Sequence, residues 1–318
     1  MKRGSKIVII GGGTGIYSVL SGLKEYPLNL TAVISMSDDG GSTGVLRDEF
    51  GILPPGDIRR ALVALSLQQE TICKLFNYRF EKGKLKGHNF GNIFITALCK
   101  IFNDDFEKAI EATSEILNIK GKVVPVTLGK AKLYARLENG KLIVGETNID
   151  IPKHNGNLRI EKIFLKPICK INPKAKKAIL AADFIVIGPG DLYTSIIPNF
   201  LVKGVVQAIN KSKAKKIYIV NLMTKFGETN NFKAKDFIKE VEKYLGKNIL
   251  DFVILNKKKP PKEILDCYRK KKAFFVEYKP RDFKNKNFKL ILENLIKYDK
   301  GLIRHNHLKI AKIIYSII

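Results

Sequence analysis

The stretch "KIVIIGGGTGIYSVLSGLKEY", Lys6 to Tyr26, decides the fold. The apolar run that begins after Lys6 and ends at Ile10 has the pattern of a strand buried on both faces. Gly11, Gly12, Gly13 and Gly15 then turn the chain, and Leu20 and Leu23 follow at helical spacing. Strand, glycine turn and helix together open a parallel α/β sheet. The alternation continues outward. "LTAVISMSDDGG" reads as a second strand ending in Asp38 and Asp39. "DIRRALVALSLQ", "NFGNIFITALCKIF" and "DFEKAIEATSEILNI" read as helices, with Asp57 a natural N-cap for the first. After Gly121 the texture changes to short strands with a hairpin signal at Asn139-Gly140, which predicts a β-rich excursion from Lys122 to about Leu165. Helix–strand alternation resumes from "NPKAKKAILAADFIVIG" to "ILDFVILN", and "KKAFFVEY" reads as another strand.

The chain has 318 residues, 45% hydrophobic and 27% charged, an ordinary balance for a globular protein with a sizeable core. Its longest apolar runs are strand-sized and too short to span a bilayer. Only four apolar residues follow Lys6, fewer than the about 7–15 of a secretion signal, so a cytoplasmic location is expected. Cys73, Cys99, Cys169 and Cys267 are scattered and form no CxxC, which suits a reducing compartment and excludes a zinc ribbon. The net charge is +27. The lysine runs "NPKAKK", "NKSKAKK", "NKKKPPK" and "YRKKKA" fall in predicted loops and helix ends without interleaved aromatics. They point to a lysine-biased surface rather than to a nucleic-acid partner, and their field favours an anionic small ligand.

In a parallel sheet, ligands bind beyond the carboxyl ends of the strands, near the point where strand order reverses. Four loops follow predicted strands and are expected to meet there: "GGGTG", "SDDGGSTG", "GPGDLYTS" and "NLMTKFGET". Gly11, Gly12, Gly13 and Thr14 bring backbone N–H groups to an anion at a helix start, or simply make a tight turn. The third glycine of a dinucleotide fingerprint is replaced by Ile16, and no P-loop Gly-Lys-Ser/Thr follows. Asp38 and Asp39 hold a ribose hydroxyl or, with Ser42 and Thr43, a magnesium ion and phosphate oxygens. Asp57 supplies a third carboxylate or caps its helix. Arg47, Arg59 and Arg60 face phosphates or coat helices. In "KGHNFGN", His88 is a candidate donor or general acid, or else structural, beside Asn89 and Asn92. Gly188 and Gly190 frame a turn that leads to Asp191, Tyr193, Thr194 and Ser195, and Asn221 and Thr224 follow the next strand.

These motifs, with "DDGGSTGVLRDEFGILPPGDIRRAL", "YRF", "GPGDLYTSIIPN" and the late "LIRHNHLKIA", resemble the CofD/YvcK family nearly end to end, and the YvcK branch of gluconeogenesis factors most. One departure stands out: the family's GPGSLYTS has Asp191 in place of its serine. The resemblance implies a three-layer, Rossmann-like fold with residues 1–318 as one domain. It implies two alternative functions. One is a regulatory protein that binds a UDP-sugar such as UDP-N-acetylglucosamine, serves growth on gluconeogenic carbon, cell shape and envelope synthesis, and acts through an envelope-synthesis or regulatory protein partner, as a homo-oligomer. In that branch a tyrosine and an arginine hold the nucleotide sugar, and the matching positions are Tyr268 and Arg304. The other is a magnesium-dependent transferase that moves a phospholactyl-type group from a nucleotide diphosphate donor, with Asp38, Asp39 and Asp57 around the metal.

Overall fold

The computed structural model describes residues 4–284, 286–299 and 301–318; Lys2 and Arg3, part of the N-terminal reading, lie outside them. The strands in chain order are β1 (Lys6–Gly11), β2 (Asn29–Ile34), β3 (Lys122–Pro125), β4 (Lys132–Leu137), β5 (Leu142–Val144), β6 (Ile160–Lys166), β7 (Phe184–Ile187), β8 (Lys215–Ile219), β9 (Phe252–Asn256), β10 (Lys289–Glu293), β11 (Ile296–Asp299) and β12 (Leu302–His305). Seven of them form one parallel sheet in the order β10-β9-β8-β7-β1-β2-β3.

β1 is central because its side chains need burial on both faces: Ile7, Ile9 and Ile10 are fully enclosed. Its register pairs Lys6 with Asn29 on one side and Ile7 with Phe184 on the other. The chain moves from β1 toward β2 and β3, then returns to β7 and proceeds outward to β10. The order therefore reverses between β1 and β7, and a cleft opens at their carboxyl ends. Helices Gly13–Leu23, Gly56–Leu65 and His307–Ile317 pack together as one layer. Helices Pro173–Leu180, Val205–Lys211 and Ala234–Leu245 form the other, which completes the three-layer α/β arrangement. Among the described residues no helix is long and apolar enough to cross a membrane.

Three local expectations are corrected. The β excursion begins later than Lys122: β3 is an edge strand of the main sheet, parallel to β2, and the separate antiparallel sheet is β5-β4-β6. The continuous apolar "VVPV" marks burial on both faces, where the following strands alternate. "KKAFFVEY" forms only an isolated bridge, Met223 to Phe275. Its backbone is used by a loop, since Thr224 N donates to Phe274 O (2.7 Å) and Phe274 N to Thr224 Oγ1 (2.9 Å). Asp57 is not an N-cap: its helix starts at Gly56 behind Pro55, and Asp57 sits within the first turn, where it accepts from Arg60 Nη1 at 2.9 Å.

Helix Gly13–Leu23 crosses the C-terminal helix at Gly22, where an added Cβ would stand 2.3 Å from His307 O and 2.8 Å from Ala311 Cβ. Helix propensity alone would make Gly22→Ala stabilising by about 1 kcal/mol. The crossing reverses that sign, so the variant is expected to lose about 1–3 kcal/mol in urea unfolding. A gain in stability would contradict this packing.

Candidate functional site

The cleft at the β1/β7 reversal is a cavity of about 560 Å³. Its floor is the start of the helix Gly13–Leu23, with Gly12, Gly13 and Thr14 lining it beside Gly190 and Asp191 from the β7 loop. The two loops touch backbone to backbone: a Cβ on Gly15 would fall 2.0 Å from Pro189 O. Unpaired N–H groups at this helix start give the floor a partial positive charge. The lining also includes Tyr268, Arg304 and His305. The Tyr268 hydroxyl accepts from Ile303 N (2.8 Å), which pins β12 next to Arg304. Arg304 is exposed and has no ion-pair partner among the described residues. Burial pushes the His305 imidazole down to about 4, and its Nε2–H donates to Val220 O at 3.3 Å. The neutral ring therefore keeps Nδ1 as an acceptor. Asn221 donates from Nδ2 to Gly190 O (2.8 Å), and its buried Oδ1 has no partner.

A second lobe of about 380 Å³ adjoins the first through Gly13, Thr14, Asp150, Asp191 and Ser195. It is lined by the carboxylates Asp38, Asp57, Glu146, Asp150 and Asp191, against Arg59, Arg60 and Arg79. Glycines admit the acids: a Cβ on Gly12 would meet Asp57 Oδ2 at 2.5 Å, and one on Gly56 would meet Asp38 Oδ2 at 2.5 Å. Burial, then the charge of Asp57, pushes Asp38 up to about 6. Burial, then Asp38 and Asp150, pushes Glu146 up to about 9. The carboxylate oxygens that gather within 4.8 Å of one another among the described residues are those of Asp150, Asp191 and Glu228, and Lys225 Nζ already sits among them, whereas Asp38 and Asp57 are a repelling pair that a cation would relieve. Between the lobes, Lys225 Nζ pairs with Asp150 and, at 2.8 Å, with Asp191. Burial opposes its charge, but Glu228, Asp191 and Asp150 outweigh burial and hold its pKa above the ordinary lysine range.

The structure brings Gly12, Gly13, Thr14, Asp38, Ser42, Thr43, Asp57, Asn92, Gly190, Thr194, Asn221, Tyr268 and Arg304 to the two lobes. Other candidates have internal work. Asp39, grouped with the metal carboxylates in the sequence, lies outside both linings; its oxygens accept from Glu146 N (3.1 Å) and Thr147 N (2.8 Å) and cap the short helix Glu146–Asp150. His88 and Asn89 hold Ser42 from behind: His88 Nδ1 lies 3.4 Å from Ser42 Oγ, which accepts from Asn89 N at 3.1 Å. Tyr193 is 2% exposed, its N–H donates to Glu228 Oε2 (3.0 Å), and burial raises its phenol. Gly11 ends β1, and Gly188 turns the chain at a φ of 70° outside the linings. Arg47 pairs with Asp48 elsewhere. Asp191, the family departure, is neutralised by Lys225. Sequence reasoning missed Glu146, Asp150, Arg79, Lys225 and His305. "GETNID" shows two acids four residues apart, but nothing local places them over the β2 loop.

A profile of the family described as "2-phospho-L-lactate transferase CofD" matches residues 7–296, and the chain belongs to that family. A relative from Thermotoga maritima is 44% identical over 98% of this chain and 99% of its own. A Bacillus subtilis protein named "Gluconeogenesis factor" is 38% identical over 100% of this chain and 99% of its own. An X-ray crystal structure of a Bacillus halodurans protein matches at a TM-score of 0.93, with 36% identity, covering 98% of this chain and all of that one.

The buried acids set a pH dependence. Glu146 (about 9) and Glu228 (about 8, raised by burial and then Asp191) bind protons more tightly folded than unfolded. His305, with its lowered value of about 4, has the opposite sign, but only the tail of its unfolded-state titration near 6.5 reaches above pH 7. Stability is therefore expected to fall as pH rises from about 7 to 8.5. Glu146→Gln should flatten that fall, measured as the thermal midpoint across the range; a wild-type midpoint that rises there would refute the assignment.

Proposed function

We propose that this member of the CofD family is a regulatory protein that binds a UDP-sugar, UDP-N-acetylglucosamine or a close analogue, across the β1/β7 cleft. The observation that carries the reading is that Arg304, exposed and without an ion-pair partner among the described residues, lines the same 560 Å³ cavity as the glycine-built helix start. A diphosphate between them would meet backbone N–H donors on one side and a planar guanidinium fork on the other. The Tyr268 ring would pack against the base or ribose. Asn221 Oδ1 and His305 Nδ1 add two acceptors suited to ligand O–H or N–H groups. The name carried by the Bacillus subtilis relative supports a role in gluconeogenic growth, and the reading extends to cell shape and envelope synthesis, exercised in the cytoplasm by a homo-oligomer through a protein partner.

The acidic lobe favours a second reading, a transferase. Asp38 and Asp57 would hold magnesium, which supplies charge neutralisation at a diphosphate. Arg60, which lines the lobe beside Asp57, would steady phosphate oxygens next to the metal, while Arg59 is held internally by Asn92, Asn77 and the Phe76 carbonyl.

Calorimetry with UDP-N-acetylglucosamine and magnesium, with product analysis, separates the two. Saturable binding with intact ligand is expected, and Arg304→Ala should weaken it more than about tenfold, a loss of roughly 1.4 kcal/mol or more. Unchanged affinity would remove Arg304 from the site. Release of a nucleoside monophosphate that Asp38→Asn abolishes would decide for the transferase.

A further inference from the structure

The small sheet β5-β4-β6 has one face in the core and one outside. Leu133, Ala135, Leu137 and Ile163 are buried beneath it. The outer face carries Lys132, Tyr134 and Arg136 from β4 and Lys162, Phe164 and Lys166 from β6, because each set is spaced two residues apart. The antiparallel register places Lys132 opposite Lys166, Tyr134 opposite Phe164 and Arg136 opposite Lys162. Both strands thus present cation, aromatic, cation in matching rows. Tyr134 and Phe164 stack with centroids 5.4 Å apart at an interplanar angle of 12°. Lys166 Nζ lies 5.8 Å and 5.6 Å from their centroids. On the β5 side, Leu142 (50% exposed) and Val144 (42%) extend the apolar surface.

This pattern works against the fold. Like charges directly opposite each other in a sheet are destabilising, and here they occur at both ends of the aromatic row. Glu161 answers only Arg136, at 2.9 Å; Lys132, Lys162 and Lys166 have no carboxylate partner among the described residues. Lys132 and Lys166 also rim a cavity of about 380 Å³ that adds Lys130 to the same positive surface, while Arg47 there is paired with Asp48. An anionic partner would relieve the repulsion, and one with flat rings would use the aromatics. The lysine runs that argue against a nucleic acid lie mostly on helices, helix ends and loops without aromatics between them, whereas these cations are interleaved with aromatics along two paired strands.

The geometry points to a binding face for single-stranded nucleic acid on the outer side of β4 and β6, separate from the nucleotide-sugar cleft and independent of that reading. Bases stack against Phe164 and Tyr134, and the lysines take phosphates. Neighbouring aromatics flanked by cations on a sheet hold two or three bases in this way.

The test uses the full chain and fluorescein-labelled oligo-U and oligo-dT strands of about ten nucleotides, read by anisotropy. Saturable binding of a single strand is expected, with preference between the two identifying RNA or DNA as the natural class. The logarithm of the binding constant should fall with log salt at a slope of about −2, for three phosphate contacts. Phe164→Ala should lose about fivefold or more, and the exposed change Lys166→Met should reduce the slope by about 0.7, with thermal midpoints confirming folded variants. The proposal is overturned if both variants bind like wild type, if a duplex of the same length binds equally well, or if polyglutamate displaces the strand at equal concentration, the result an acidic protein partner would give.

Discussion

The helix that follows β1 lies against the loop that follows β7 with no room for a side chain between them, since any Cβ on Gly15 would collide with Pro189 O. The cleft depends on that contact. It joins the two loops on either side of the reversal in strand order and aims the helix N-terminus at one enclosed volume. The contact also fixes Gly190, whose carbonyl holds Asn221, so the loop after β8 joins the same wall. A site assembled from segments more than 200 residues apart therefore rests on backbone packing at the β1/β7 contact, with the side-chain bonds of Asn221 and Tyr268 tying in the further walls.

Charge is organised against the composition. A chain of net charge +27 collects Asp38, Asp57, Glu146, Asp150, Asp191 and Glu228 around the cleft. Burial and mutual repulsion raise Asp38, Glu146 and Glu228, a cost that structural carboxylates normally avoid by pairing. The cation at one end is internal, Lys225. At the other end Asp57 has Arg60 as an ion pair, whereas Asp38 has the Gly40 N–H at 3.0 Å, the Thr43 hydroxyl and the more distant charge of Arg60 but no ion pair of its own among the described residues. The asymmetry is what directs the magnesium reading to Asp38 and Asp57 rather than to Asp150 and Asp191.

Much of this is legible in the amino-acid order itself. The apolar run behind Lys6 and the glycines after it specify a buried strand and a turn locally, and four strand-following loops obey the rule for parallel sheets. Tyr268 and Arg304 stand out only through family likeness, since neither has a local signal of function. What is not legible is long-range. Glu146 joins the site because Asp39 caps its helix, a contact spanning 107 residues that no spacing reveals. β3 reads as part of the excursion because its neighbours in sequence are antiparallel strands, while its pairing partner, β2, is some 90 residues earlier. His88 and Asn89 resemble ligands because small polar residues before a helix serve ligands and caps alike. The outer face of β4 and β6 is invisible to a search for runs of cations, because a strand displays them at every second position.

Hydrogen exchange with and without UDP-N-acetylglucosamine tests the central claim most directly, because it reports on every loop of the cleft at once. The account predicts joint protection of residues 11–15, 188–191 and 302–305, the last containing Arg304, while the β4–β6 sheet stays unchanged. Protection confined to one of these segments, or centred on another surface, would contradict it.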